Sequence, residues 1–342
     1  MLATHEAIPP KVKFLIIRFS SIGDIVLTTP VARCVRQQYP EAEIHFLTKK
    51  SFKGILEHNP YLDKIHLLED DLNQVIADLQ QENFTYIIDL HHNLRTLRVK
   101  KALKKAKSFS FNKLNIEKFI YANFKINTLP NKHIVDRNFE CIAELGIRND
   151  GKGLDYFIPA KDVVPQNDIP TAHAHGFIAI VIGAALATKQ LPLHKLIELC
   201  AAINHPIMLL GGKEDVEAGK AIAATDPIKI YNACGKFNLN ESADLLRQSK
   251  LVVTHDTGLM HIAAALQKPI ISIWGNTVPS FGMYPYYGAQ SVQQYRVVQV
   301  NKLWCRPCSK IGYAKCPRGH FKCMEQIDIA EIVQYVKAFL SK

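Results

Sequence analysis

Apolar positions along the chain alternate between two rhythms. Short unbroken runs at Lys13–Phe19, Glu43–Thr48, Lys64–Leu68 and Tyr86–Leu90 predict strands, because a parallel strand covered on both faces reads as continuously apolar. Between them, Ile25–Gln38 and Leu72–Gln81 repeat apolar residues at helical spacing, with Pro30 interrupting the first turns of the former. The order βαβαβαβ implies a parallel sheet with helices on both faces. Asn112–Phe124 is aromatic-rich and helical, either core or a mobile element beside a site. His133–Leu145 predicts a helix stopped by Gly146.

The segment from Asn149 to Pro170 is rich in Gly, Pro and Asp and predicts a domain boundary. Past it the alternation resumes. Strands are predicted at Phe177–Ile182, Ile207–Leu210, Ile228–Tyr231, Leu251–Thr254 and Pro269–Trp274. Helices are predicted at Leu193–Ile203, Glu214–Ala224, Glu241–Gln248 and Asp328–Leu340. The expected domains are 1–168, 169–326, and a terminal helix 327–342 that packs back on the first domain. Ligands in such sheets bind outside the carboxyl ends of the strands.

The most informative of those ends is Leu251–Leu266. An apolar strand runs to Thr254 and gives way to a helix marked by Leu259, Ile262, Ala263 and Leu266. Asp256, Thr257 and Gly258 therefore sit on a strand-to-helix turn with unpaired backbone N–H groups and the positive end of a helix dipole, a ready anion site. The plainer reading makes Asp256 or Thr257 an ordinary N-cap. His261 lies one turn into the helix.

Composition narrows the class. At 342 residues, 48% apolar and 21% charged, the chain is a globular protein of two ordinary domains. No apolar run approaches the ~18 residues of a membrane span. Residues 1–10 have neither a charged nor an apolar signal region, so the expected compartment is the cytoplasm. The net charge of +11 favours an acidic partner: nucleic acid, an anionic membrane or a phosphorylated substrate. Residues 95–107 carry Arg95, Arg98, Lys100, Lys101, Lys104, Lys105 and Lys107 with no acid among them. They form either a solvated helix face or a docking surface for phosphates or lipid.

Two further turns carry chemistry. In Arg18–Asp24 a strand ends, Gly23 permits a tight turn, and Asp24 opens a helix, as an N-terminal carboxylate or as a proton acceptor at the sheet edge. Neither a three-glycine dinucleotide fingerprint nor a P-loop is present. After the first strand of the second half, Gly183–Pro192 places Lys189 where a phosphate partner could stand.

Together these turns resemble glycosyltransferase family 9, which contains the heptosyltransferases of lipopolysaccharide core assembly. The resemblance extends to N-L-R-T at Asn93–Thr96, H-I-V-D-R at His133–Arg137 and G-G-K-E-D at Gly211–Asp215. It implies a GT-B architecture: an α/β chain of two Rossmann-like parallel-sheet domains facing a central cleft, acceptor on the first and nucleotide-sugar on the second. It implies an inverting transfer that requires no metal or other cofactor. Asp24 is then the general base. Lys189 neutralises the diphosphate, Asp256, Thr257 and Gly258 hold phosphate and sugar, and His261 lies nearby. Phe237 falls against the nucleobase, and Glu241 is a further donor contact. Gly23, Asn93, Arg95, Arg98, Lys100 and Lys101 fall to the acceptor side.

Where the family often has Ser or Thr after the glycine of the lysine turn, this chain has Ala184 and Ala185, which leaves Thr188 to supply a hydroxyl. Leu191 stands where a Trp is common, and His255 precedes the D-T-G segment. The expected donor is ADP-heptose or another nucleotide-sugar. The expected acceptor is a phosphorylated lipopolysaccharide or lipid A precursor at the anionic inner face of the inner membrane. The alternatives are a nucleotide-sugar-binding protein without transfer activity, and a nucleic-acid binder, for which no aromatic-studded strand or recognition helix speaks.

Cys305, Cys308, Cys316 and Cys323, with His320 among them, have the donors for a tetrahedral zinc site but only one C-x-x-C pair. A packed, reduced cluster is the first expectation, with structural zinc and redox-labile pairs the alternatives.

Overall fold

The computed structural model describes residues 11–289 and 294–341. Residues 1–10, on which the reading of the amino terminus rests, and Lys342 lie outside the described residues. The chain forms two compact units. The first takes in the described residues up to Ser20, then Val31–Asn112 and Asn138–Asp150. The second takes in Ser21–Pro30, Lys113–Arg137 and the described residues from Gly151 onward.

In the first unit, β1 (Lys13–Ile17), β2 (Glu43–Lys49), β3 (Lys64–Leu68), β4 (Tyr86–Asp89) and β5 (Lys107–Ser110) make a sheet of order β3-β2-β1-β4-β5. All pairings are parallel, with Phe14 opposite Ile44 on one side and Ile17 opposite Asp89 on the other. Helices α3 (Leu72–Gln80) and α4 (Leu94–Ala102) cover one face, burying Leu15, Ile17, Leu47, Leu79, Ile87 and Val99 together. Helix α2 (Thr29–Gln38) belongs to this unit from Val31 onward. The strand order reverses between β1 and β4, the usual place for a ligand site in such sheets.

The second unit has a six-stranded parallel sheet of order β11-β10-β9-β6-β7-β8. Its strands are β6 (Ile178–Val181), β7 (Ile207–Leu210), β8 (Ile230–Asn232), β9 (Leu251–His255), β10 (Ile270–Trp274) and β11 (Tyr295–Gln299). Among its helices are α1 (Ile22–Val26), α5 (Asn115–Phe124), α7 (Leu193–Ala202), α8 (Val216–Ala223), α9 (Leu239–Gln248), α10 (Gly258–Ala265), α11 (Lys322–Glu325) and α12 (Ile329–Leu340). Helix α6 (Ile134–Glu140) and a short 3-10 turn before Gly146 replace the single helix expected at His133–Leu145.

Two expectations change, and one that was open is decided. The division between units is interleaved where a single cut at 168/169 was expected, because Ser21–Pro30 and Lys113–Arg137 pack with the second unit. Helix α12 was expected on the first domain. Its apolar stripe Ile329, Ile332 and Val336 instead joins Leu196, Leu199 and Ile271 in the second unit's core. Helix α5 buries none of its residues, so it is not core.

Candidate active site

The order of the second sheet reverses between β6 and β9, and both informative turns of this unit leave the carboxyl ends of those neighbouring strands. From β9 the chain passes through Asp256 and Thr257 into α10. Thr257 is the N-cap residue, yet its side chain makes no cap bond, so the first-turn N–H groups keep their donors for another acceptor. From β6 it passes through Gly183 to Lys189. The ammonium of Lys189 stands 2.6 Å from Asp256 Oδ2 and 3.4 Å from the Asp256 carbonyl oxygen. The Thr277 hydroxyl donates to the same carboxylate at 3.0 Å.

Two buried histidines set this corner. The backbone N–H of Leu191 donates to His255 Nε2 at 3.0 Å, which ties the lysine loop to the end of β9. Burial pushes the pKa of His255 down to about 4, so the ring is neutral and accepts. His261 is also buried and neutral. Burial pushes its pKa down to about 4 although the carboxylates of Asp256 and Asp24 act to raise it, and Lys189 adds to the lowering. Its Nδ1 has no hydrogen-bond partner among the described residues.

Asp24 reaches this neighbourhood because α1 packs on α10 within the second unit. Both contacts are made at glycine. A Cβ on Gly23 would lie 2.4 Å from His261 Cδ2, and one on Gly258 would lie 2.7 Å from Ile22 Cγ2. Close approach at the two helix starts therefore demands the absent side chains. The carboxylate of Asp24 is half-buried. It accepts from the Ser21 hydroxyl at 2.8 Å and the Ser21 N–H at 3.1 Å, which closes a capping box and fixes its rotamer.

The other site candidates divide. Thr188 does not offer its hydroxyl: it donates to the Tyr313 carbonyl at 3.1 Å, accepts from the Tyr313 N–H at 2.8 Å, and is buried. Phe237 is half-buried just before α9. Glu241 closes the capping box of that helix, its carboxylate accepting from the Asn238 N–H at 2.6 Å. Gly23 is a packing position rather than an exposed one.

In the first unit, Asn93 and Thr96 form a reciprocal capping box on α4. Lys100 is withdrawn from the basic run by the fully buried carboxylate of Asp89 at 3.0 Å and by Ser110 Oγ at 2.6 Å. Lys101, Arg95 and Arg98 are exposed. The last two line an open groove of about 920 Å³ of mixed charge, lined also by Lys49, Lys50, Glu69, Asp70 and Asp71.

Residues not singled out from sequence also shape the second unit. Thr277 anchors Asp256, and Arg306 anchors Thr277 by donating Nη2 to its carbonyl at 2.8 Å. Arg306 also donates to the carbonyls of Gly275 and Val300 and to Gln299 Oε1. Its place inside C-R-P-C was the available signal, read there only as cysteine spacing. Asp215 packs so closely that a Cβ on Gly183 would lie 2.1 Å from its Oδ2, which explains the glycine ending β6.

Cys305 Sγ lies 3.8 Å from His320 Nε2. Burial raises the Cys308 thiol, with Cys305 and Cys316 adding to the effect, and pushes Cys323 up to about 12. Among the described residues, three metal-capable side chains converge at His45, His66 and Glu82. There His45 Nδ1 faces His66 Nε2 at 2.9 Å, and Lys13 and Lys64 occupy the Glu82 carboxylate.

Comparison with known proteins agrees with this architecture. Lipopolysaccharide heptosyltransferase 1 of Campylobacter coli is 25% identical over 296 residues, covering 79% of this chain and 85% of the relative. The crystal structure of a family 9 glycosyltransferase from Veillonella parvula superposes with a TM-score of 0.77 at 18% identity, covering 96% and 97% of the two chains. The Escherichia coli ADP-heptose lps heptosyltransferase II does so with a TM-score of 0.70 at 17% identity, covering 96% and 98%. The fold is that of the GT-B heptosyltransferases. The family model for glycosyltransferase family 9 (heptosyltransferase) matches residues 73–315, and the chain belongs to that family.

Proposed function

We propose that this protein is an inverting glycosyltransferase that moves heptose from ADP-heptose onto a phosphorylated lipopolysaccharide core or lipid A precursor, with no metal in the reaction. One observation carries the reading. Asp24, Asp256 and Lys189 all act electrostatically on the same buried imidazole, His261, within one folding unit. A proton acceptor and a cation thus share one neighbourhood of the second unit.

The chemistry follows from those groups. The Asp24 carboxylate takes the proton from the acceptor hydroxyl, and the oxygen attacks the anomeric carbon as the bond to the diphosphate breaks. A single displacement inverts that carbon. Negative charge builds on the departing nucleoside diphosphate, where the Lys189 ammonium and the uncapped N–H groups of α10 stabilise it. Lys189 is held by Asp256 at 2.6 Å, which positions its charge for the diphosphate. Acceptor phosphates fall to Arg95, Arg98 and Lys49 of the first unit's groove rather than to its acidic lining of Glu69, Asp70 and Asp71, the first of which already pairs with Lys50 at 2.9 Å.

The names of the Campylobacter and Escherichia relatives support heptose as the sugar and lipopolysaccharide as the product class. The enzyme works at the cytoplasmic face of the inner membrane as a peripheral protein. Among the described residues no helix is long and apolar enough to cross a membrane.

A thermal-shift panel of ADP, UDP, GDP and CDP, followed by mass analysis of an acceptor incubated with ADP-heptose, tests the proposal. A midpoint raised selectively by ADP and an acceptor heavier by one heptose are expected. Equal response to all four nucleotides, or no mass gain, would overturn it.

A further inference from the structure

Helix α5 is the anomaly of the second unit. Ile116, Phe119, Ile120 and Phe124 fall at i, i+3, i+4 and i+8, one helical face, of which all but the half-buried Ile120 are exposed. Ile116 is 73% exposed, Phe119 60% and Phe124 64%, and Ile126 just beyond is 59% exposed. An apolar helix face of this kind marks a surface made to be covered.

The helix does not stand alone. At its amino end Asn115 Oδ1 accepts from Lys310 Nζ at 3.3 Å. At its carboxyl end Lys125 Nζ donates to the carbonyls of Pro307 at 2.7 Å and Cys305 at 3.3 Å. Both ends are thus tied to the segment Asn301–Met324, which adds exposed Trp304 and Ile311. That segment holds Lys302, Lys310, Lys315, Arg318 and Lys322 on the surface and contains no Asp or Glu. The Arg318 guanidinium lies 4.9 Å from the Trp304 ring centre.

We propose that α5 and the 301–324 segment form one docking surface for an anionic phospholipid bilayer. The inference rests on the reading of an enzyme whose acceptor is a membrane lipid. Exposed Phe and Ile enter the headgroup boundary, Trp304 sits at the interface, and the Lys and Arg of the 301–324 segment, which outnumber the single acid of α5, Glu117, meet the anionic headgroups. A protein partner fits less well, since Lys is depleted at such interfaces. Nucleic acid fits less well again, since the aliphatic Ile116, Ile126 and Ile311 offer no stacking face. The surface is distinct from the basic run on α4, which belongs to the first unit.

The test is co-sedimentation of the full chain with phosphatidylglycerol–phosphatidylethanolamine vesicles and with phosphatidylcholine vesicles. The protein is expected to bind the anionic vesicles at least tenfold more tightly. Phe119→Glu/Phe124→Glu and Lys310→Glu/Arg318→Glu are each expected to lose that binding at least tenfold while keeping the ADP-induced thermal shift. Arg95→Glu/Arg98→Glu is expected to keep vesicle binding within threefold. Binding of the Phe119→Glu/Phe124→Glu variant at the wild-type level would overturn the proposal, as would equal binding to both vesicle types. A dimer held through this face without lipid would also overturn it. Vesicle binding requires no sugar transfer, so a wild-type protein that shows the ADP shift but does not bind anionic vesicles counts against this inference alone.

Discussion

Gly23 and His261 touch where two helix starts meet. A methyl group on Gly23 would sit 2.4 Å from His261 Cδ2 and 3.3 Å from its Nε2. Both residues are buried, and the ring is fixed in the first turns of α10. This contact delivers Asp24, one residue on, to the unit that carries Lys189 and Asp256.

Gly23→Ala therefore forces α1 and α10 apart. We expect a loss of about 1–3 kcal/mol in stability, the usual cost of overpacking, with a fall in kcat larger than the change in ADP affinity. Thermal unfolding and steady-state kinetics on the same preparation check this. An alanine variant with wild-type midpoint and turnover would remove the contact from the account.

Lys189→Ala removes the cation that we propose faces the diphosphate. ADP binding measured by calorimetry is expected to weaken on the order of tenfold to a hundredfold, the range of one charge-assisted hydrogen bond. Lys189→Arg is expected to recover part of it. Unchanged ADP affinity in the alanine variant would place the phosphates elsewhere.

Arg306 saturates three backbone carbonyls and one side-chain oxygen in the interior of the second unit. Arg306→Ala strands those acceptors and is expected to cost about 3 kcal/mol or more in stability. Arg306→Lys is expected to recover only a fraction, because one ammonium cannot reach four acceptors. The thermal midpoint reads both, and a midpoint within two degrees of wild type for the alanine variant would contradict the assignment.

Acid should unfold the protein before its carboxylates titrate. His66, His255 and His261 have pKa values pushed from 6.5 down to about 4, and His133 down to about 3, mainly by burial. Unfolded histidine binds a proton near 6.5, so these neutral rings contribute stability fully above that pH and lose it as pH falls toward 4. Glu82, depressed to about 2 with Lys64 and Lys13 as partners, acts below that window. Asp215, raised above 3.8 by burial, works in the opposite direction at the acid end. The thermal midpoint is expected to be flat above pH 7 and to drop steadily from 6.5 to 4. A midpoint unchanged to pH 4.5 would contradict the buried neutral state.

What was legible in the sequence follows from what each element buries. Strands such as Leu251–His255 and Ile207–Leu210 are covered on both faces and read as unbroken apolar runs. The edge strands β5 and β11 escaped notice because Lys107–Ser110 and Tyr295–Gln299 are half-exposed and mix Lys, Ser, Arg and Gln into short runs. The strand-to-helix turns holding Asp24 and Asp256 could be read because a glycine and a change of period mark each. The side chains that share a partner could not. Thr188 bonds to Tyr313, and Lys100 to Asp89, through contacts 125 and 11 residues apart that no local pattern encodes. The packing of Ser21–Pro30 with the second unit is likewise a long-range fact, visible only once Gly23 and His261 are seen together.

The central claim is that Asp24 takes the acceptor proton in a neighbourhood already charged for a departing diphosphate. Asp24→Asn keeps the shape and a cap acceptor for Ser21 while removing the base. Parallel measurement of ADP affinity and of heptose transfer in this variant tests the claim most directly. ADP affinity within threefold of wild type, with transfer reduced on the order of a thousandfold or more, is the predicted result. Transfer at near-wild-type rate would contradict it.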